Sequence, residues 1–177
     1  MNGDAVASSG AKKPRKTGVP LLLIDIDGVI SLFGFASSER PPGDWIQADG
    51  WPHLISAGAR AYLHELAGFF ELAWCSGWEE RANDHLPALL GLPGPLPHLS
   101  FDRNPGRGHA HWKLAAIDDY AGPQRPLAWI DDALNEACDG WAADREGPTL
   151  LVRTDPAIGI TAEHVERLVG WARAEGA

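Results

Sequence analysis

The chain has 177 residues, 45% of them hydrophobic and 22% charged, and a formal net charge of −9. That length suits one well-cored domain and is short for two, and the composition excludes a fibrous or wholly disordered chain. No apolar run nears the roughly 20 residues of a membrane helix, and the two cysteines, Cys75 and Cys138, suggest neither a disulfide framework nor a zinc cluster, so a cytoplasmic protein with reduced thiols is expected.

Residues 1–18 carry Lys12, Lys13, Arg15 and Lys16 against Asp4, a charge of 4 − 1 = +3, and lack apolar periodicity, which predicts a disordered basic tail. The remaining body, 19–177, is acidic at 11 − 23 = −12 and reads as a single domain. An acidic body counts against broad nonspecific DNA binding, which needs a basic face.

"PLLLID" reads as a strand buried on both faces, with Pro20 at its opening. The stretch from Ser31 to about Ser56, rich in Gly, Pro, Ser and Trp, predicts an irregular flap or hairpin. In "AGARAYLHELAGFF", Ala61, Leu63, Leu66 and Ala67 fall near helical spacing, and "ELAWC" follows as a second buried strand. A helix is expected after Ser76, with Glu79 and Glu80 in its first turn, and "GLPGPLP" ends it. "PHLSF" suggests a short strand, and "DRNPGRG" leads into a helix from about His109 to Tyr120. Strand "PLAWIDD", helix "ALNEACDGWAADR", strand "TLLVRT" and helix "TAEHVERLVGWARA" complete the chain. Such alternation implies an α/β fold with a central parallel sheet and helices on both faces, in which ligands bind beyond the carboxyl ends of the strands.

Polar residues gather at that edge: Asp25 and Asp27 after the first strand, Ser76 after the second, Asp131 and Asp132 after a later one, with Lys113 in the helix between. Strand alternation would turn Asp25 and Asp27 the same way, so four carboxylates are expected to converge. Two charges about 4 Å apart repel by roughly 4 kcal/mol at an effective dielectric near 20, which calls for protons or cations. An all-oxygen set favours Mg²⁺ over zinc.

In this order, "DIDGV", "WCSG", the lysine of "HWKL" and "WIDD" resemble the four motifs of the haloacid dehalogenase-like (HAD) superfamily. "AWCSGWEERAN", "GLP" and "LAWIDDAL" are further similar to its short, capless bacterial branch, related to the HAD domain of RNA-repair proteins. The resemblance implies a Rossmann-like HAD fold with a small flap and no large cap, and a Mg²⁺-dependent phosphohydrolase. It makes Asp25 the nucleophile that forms an aspartyl-phosphate and Asp27 the general acid/base, whose backbone carbonyl also reaches the metal. Ser76 and Gly77 would hold the phosphate, Lys113 would stabilise nucleophile and phosphoryl group, and Asp131 and Asp132 would complete the metal site. An EF-hand is excluded because an apolar strand, not a helix, precedes the acidic loop. A response-regulator receiver is excluded because the adjacent acidic pair follows Lys113.

Other readings stay open at this stage. Asp132 and Ser76 could be helix N-caps, and Lys113 an exposed helical lysine. Trp78 could stack on a substrate ring or pack under the flap. Trp45, Trp51, Phe33 and Phe35 could line a groove or form the flap's own core, while His109 and His111 are expected at the surface. Arg153 and Asp155 follow the last strand and could contact substrate. The short insertions imply an open site that takes a phosphorylated small molecule or nucleic-acid end, or borrows a lid from a partner subunit. Three functions follow: a phosphomonoesterase, a nucleic-acid end phosphatase of RNA repair, or a noncatalytic HAD-like binding module.

Overall fold

Leu21, Leu22, Leu23 and Ile24 form strand β1 (Leu21–Ile24), and all four are buried. Because side chains alternate along a strand, Leu22 and Ile24 enter one core and Leu21 and Leu23 the other. Each such leucine contributes about 1.5–3 kcal/mol of transfer free energy, so the layering follows from having apolar residues at every strand position. The structure, a computed structural model, describes residues 18–102 and 109–175. Apart from Gly18, the basic tail lies outside the described residues, as does most of the Gly-rich "DRNPGRG" segment.

Strands β5 (Glu71–Trp74), β6 (Leu127–Asp131) and β7 (Thr149–Arg153) join β1 in a parallel sheet of order β5-β1-β6-β7. One face is covered by α1 (Ala59–Leu66), α2 (Ala82–Leu90) and α5 (Ala162–Glu175), and the other by α3 (Leu114–Ala121) and α4 (Glu136–Asp144). The α/β architecture with a parallel sheet between helices is therefore as expected. From β1 the chain crosses to β5 on one side and later returns to β6 on the other, so the connections diverge between β1 and β6. Such a divergence opens a crevice at the carboxyl ends of the strands.

Between β1 and α1 the flap is more regular than its composition suggests. Strands β2 (Ser31–Leu32), β3 (Gly43–Ala48) and β4 (Trp51–Ser56) form an antiparallel sheet of order β2-β4-β3. Asp49 and Gly50, both at positive φ, make the two-residue turn between β3 and β4.

Several finer expectations need correction. Instead of a strand, "PHLSF" makes one bridge, Trp74 to His98, because the flanking Pro95 and Pro97 have no amide hydrogens to extend a ladder. The helix expected from His109 is a 3₁₀ turn at His111–Lys113 followed by α3. Similarly, a 3₁₀ turn at Glu79–Arg81 precedes α2. In α1 the buried residues are Ala59, Leu63 and Leu66, while Ala61 and Ala67 face solvent. Among the described residues no helix is long and apolar enough to cross a membrane.

Candidate functional site

The candidate site is assembled where β1 and β6 end side by side. The Asp25 amide donates to the Ile130 carbonyl at 3.0 Å, which sets Asp25 beside Asp131 at the last position of β6. Lys113 is brought in by a separate tie. The Ala110 amide donates to the Ala133 carbonyl at 2.8 Å, anchoring the 3₁₀ turn directly beyond the β6 carboxylates.

From this anchor the Lys113 Nζ reaches Asp25 Oδ2 at 2.9 Å and Asp131 Oδ2 at 2.6 Å. Lys113 is only 3% exposed, so the exposed-lysine reading fails. Burial disfavours its ammonium charge, but Asp25 and Asp131 outweigh that penalty and hold its pKa above the ordinary value. Asp131, itself fully buried, accepts from Lys113 through Oδ2 and from the Ala133 amide at 2.9 Å through Oδ1. Desolvation, reinforced by the Asp25 charge, still pushes Asp131 up to about 7 and Asp132 up to about 6.

Asp25, Asp131 and Asp132 each place one carboxylate oxygen within 4.8 Å of the others. Three carboxylates against one ammonium leave two negative charges uncompensated, and the three clustered donors are all oxygen. That donor set fits a hard divalent cation such as Mg²⁺. Asp132 does not cap α4; Asn135 does, accepting from the Cys138 amide at 3.3 Å. Gly28, at φ +77°, leaves the space Asp132 occupies, since a Cβ there would collide with the Asp132 carboxyl group.

Asp27 departs from the expected convergence of four carboxylates. β1 stops at Ile24, so strand alternation does not extend to Asp27, whose carboxylate lies outside the triad. Instead it is held from the flap side. Trp78 Nε1 donates to Asp27 Oδ2 at 3.0 Å, and His53 Nδ1 lies 3.7 Å from Oδ1. Ser31 also hydrogen-bonds Asp27 and sits 3.0 Å from the same His53 nitrogen. Burial raises the Asp27 pKa and Asp25 adds to the shift, while the Trp78 bond opposes it. Trp78 thus packs under the flap, with its ring edge-on to His53 at 4.6 Å between centroids.

Asp25, Asp27, Ser76, Gly77, Trp78, Lys113, Asp131 and Asp132 all line one pocket of 580 Å³, together with Phe33, His109 and Trp112. Ser76 caps neither helical segment, since these begin at Glu79 and Ala82 behind Trp78 and Arg81, and its hydroxyl accepts from the Trp78 amide at 3.4 Å in the turn before them. Within this pocket, His109 corrects the surface expectation: it is half-buried and its ring stacks on His111 at 3.8 Å. His111 remains exposed and pairs with Asn135 at 2.9 Å. Arg153 ion-pairs with Asp139 at 2.6 Å and Asp155 accepts from the Ala157 amide, so neither is brought to the pocket. Trp45 and Trp51 are exposed, at 52% and 72%, and do not form a flap core.

Two positioning residues escape a reading of the sequence alone: His53, 26 positions from Asp27, and Ser31. The Asp49-Gly50 pair, a strong hairpin signal, would have placed His53 on a strand.

No protein-family model matches the chain, and no curated protein matches it. Among solved structures, a hypothetical protein from Xanthomonas campestris is similar at 13% identity with a TM-score of 0.46, over 89% of this chain and 85% of that one. A likeness at that level lends no weight to any reading of the site.

Proposed function

We propose that the protein is a Mg²⁺-dependent phosphomonoesterase of the HAD type, acting through an aspartyl-phosphate on Asp25. The observation that carries this reading is the buried Lys113 bridging Asp25 and Asp131, beside Asp132, at the floor of a pocket that also receives Asp27. A nucleophilic carboxylate, a fixed cation and an independently held acid are the parts that a two-step phosphoryl transfer needs.

Asp25 attacks phosphorus as the bond to the leaving oxygen breaks, and Asp27 gives that oxygen its proton. In the second step Asp27 removes a proton from water, which attacks the acyl phosphate. Inorganic phosphate leaves, Asp25 is free again, and Asp27 is reprotonated. Lys113 offsets charge on Asp25 and on the phosphoryl oxygens, and Ser76 and Gly77 border the pocket where those oxygens lie. Asp25, Asp131 and Asp132 would hold Mg²⁺, with the Asp27 backbone carbonyl as a further oxygen donor. When bound, the ion supplies Lewis-acid stabilisation of phosphoryl charge. The raised pKa of Asp27 suits its alternation between acid and base.

The test is phosphate release from nucleotides, sugar phosphates and phosphorylated oligonucleotides with Mg²⁺ or with EDTA. Release that requires Mg²⁺ supports the reading; none from any substrate, despite Mg²⁺ binding, favours a noncatalytic module.

Metal removal also has a signature in stability. Without metal, folded Asp131 and Asp132 titrate near 7 and 6 instead of the ordinary 3.8, so between these values the folded state binds more protons than the unfolded one. Stability contributed by this difference is present at low pH and is lost as pH rises from about 4 to 7. The raised pKa of Lys113 acts only above its ordinary 10.5 and leaves this window unchanged. The apo protein's Tm is therefore expected to fall more steeply between pH 5 and 8 than that of Asp132→Asn. Mg²⁺ should restore more Tm at pH 8 than at pH 5, because it binds the ionised carboxylates. Equal restoration at both values would remove these carboxylates from the metal site.

A further inference from the structure

We infer that the flap carries a second subsite, which binds the leaving group of the substrate by stacking a nucleobase on Trp51. This deepens the phosphomonoesterase reading and rests on it for the direction in which the leaving group points.

A second pocket, of 340 Å³, is lined by Ala48, Asp49, Trp51, His53, Trp78 and Arg81. It adjoins the catalytic pocket, because Trp78 lines both. His53, on the shared wall, also stands 3.7 Å from Asp27. Protonation by Asp27 requires the leaving oxygen to sit beside that carboxylate. The body of the leaving group therefore departs on the Asp27 side, toward Trp78, His53 and the flap.

What awaits it there is an aromatic surface. Alternation along β4 puts Trp51, His53 and Ile55 on one face, level with Ala48 and Ser31 on the neighbouring strands. Ile55 and Ala48 are buried and His53 packs on Trp78, so this face is turned inward over the site. Trp51 continues the same face to the hairpin tip yet is 72% exposed, a large indole left in solvent at the mouth of a cavity. Trp45, paired with Leu54, belongs to the opposite face and has no part in it.

Ala48 leaves the floor shallow, and an ion pair of 2.7 Å between Arg81 and Asp49 closes the rim. This pair links the hairpin tip to the segment that follows Trp78. The cavity is at the small end for ligand sites, which suits one flat heteroaromatic ring. Stacking is sequence-tolerant because every base has a π-face. A mononucleotide and the terminal nucleotide of an oligomer present the same chemistry.

Trp51→Ala is expected to raise KM for a nucleoside monophosphate about tenfold relative to KM for glycerol phosphate, within the range of single-base stacking losses. Trp51→Phe should retain most of the preference, and Trp45→Ala should leave the ratio of the two KM values as in wild type. A phosphorylated trinucleotide, run beside the mononucleotide, should depend on Trp51 equally, and the lower KM names the source. Binding of the nucleoside monophosphate, followed by calorimetry without turnover, separates the two ideas. Trp51-dependent binding with no hydrolysis of anything would uphold the subsite and defeat the phosphatase reading. Hydrolysis with an unchanged KM ratio in Trp51→Ala, or no binding at all, would overturn the subsite.

Discussion

Replacing Asp25 by alanine is expected to reduce kcat for phosphate release by about 10⁴-fold or more, the scale on which loss of a covalent nucleophile is felt. Asp25 stands directly beyond β1, with Oδ2 on the Lys113 ammonium and Oδ1 accepting the Ile26 amide at 2.8 Å. These two contacts fix the carboxylate on the wall of the pocket. Asp131 is held alike, by Lys113 and the Ala133 amide, but it is fully buried whereas Asp25 keeps some exposure to the pocket. The fold should survive because Lys113 keeps Asp131 as a buried partner. Asp25→Asn, which keeps the shape and removes the charge, should be as inactive, with a thermal midpoint near that of wild type. Mg²⁺-dependent turnover persisting in either variant would sink the aspartyl-phosphate route. Loss of activity together with loss of folded signal in both would leave Asp25 a structural residue.

The parts of this site legible in the sequence are those fixed by local pattern. Runs such as "LLLI" and "LAWI" leave little choice but strands buried on both faces, and the next residues must then project from the strand ends. Asp25, Asp131 and Asp132 were visible for that reason. Lys113 was visible only as a motif, because its burial depends on the Ala110 to Ala133 bond, a tie between loops that periodicity does not encode. The same tie draws the neighbouring His109 to the pocket. Asp27 shows a different limit: its partners Trp78 and His53 lie 51 and 26 positions away, one on the segment after β5 and the other on β4 of the flap, and no local pattern encodes either meeting. Proline and glycine in "PPGDWIQADGWPHLIS" hid the alternation of β3 and β4, although the Asp49-Gly50 turn was written plainly. Exposure of Trp51 could not be inferred either, since an aromatic in a strand is ordinarily taken for core.

Lys113→Met should be the most destabilising substitution at the site. The methionine matches much of the stem's length but leaves Asp25 and Asp131 facing each other without the ammonium now 2.9 and 2.6 Å from them. Breaking a buried ion pair on one side costs about 3–5 kcal/mol, because the remaining charge stays desolvated and unpaired. For a chain of this size that corresponds to a fall in Tm of roughly 6–20 °C. The damage is conditional on charge. Asp131, already pushed up to about 7 with the lysine present, should rise further without it, so lowering the pH to 5 protonates it and returns much of the lost stability. A divalent cation should rescue the variant at pH 8, and by more than it stabilises wild type, since it would then be the sole counter-charge for all three carboxylates. Activity should not return with the fold, because the metal does not replace the cation that faces Asp25. A Tm loss insensitive to both pH and Mg²⁺ would mean that Lys113 acts by filling space, and that the carboxylates around it are not a charge-balanced metal site.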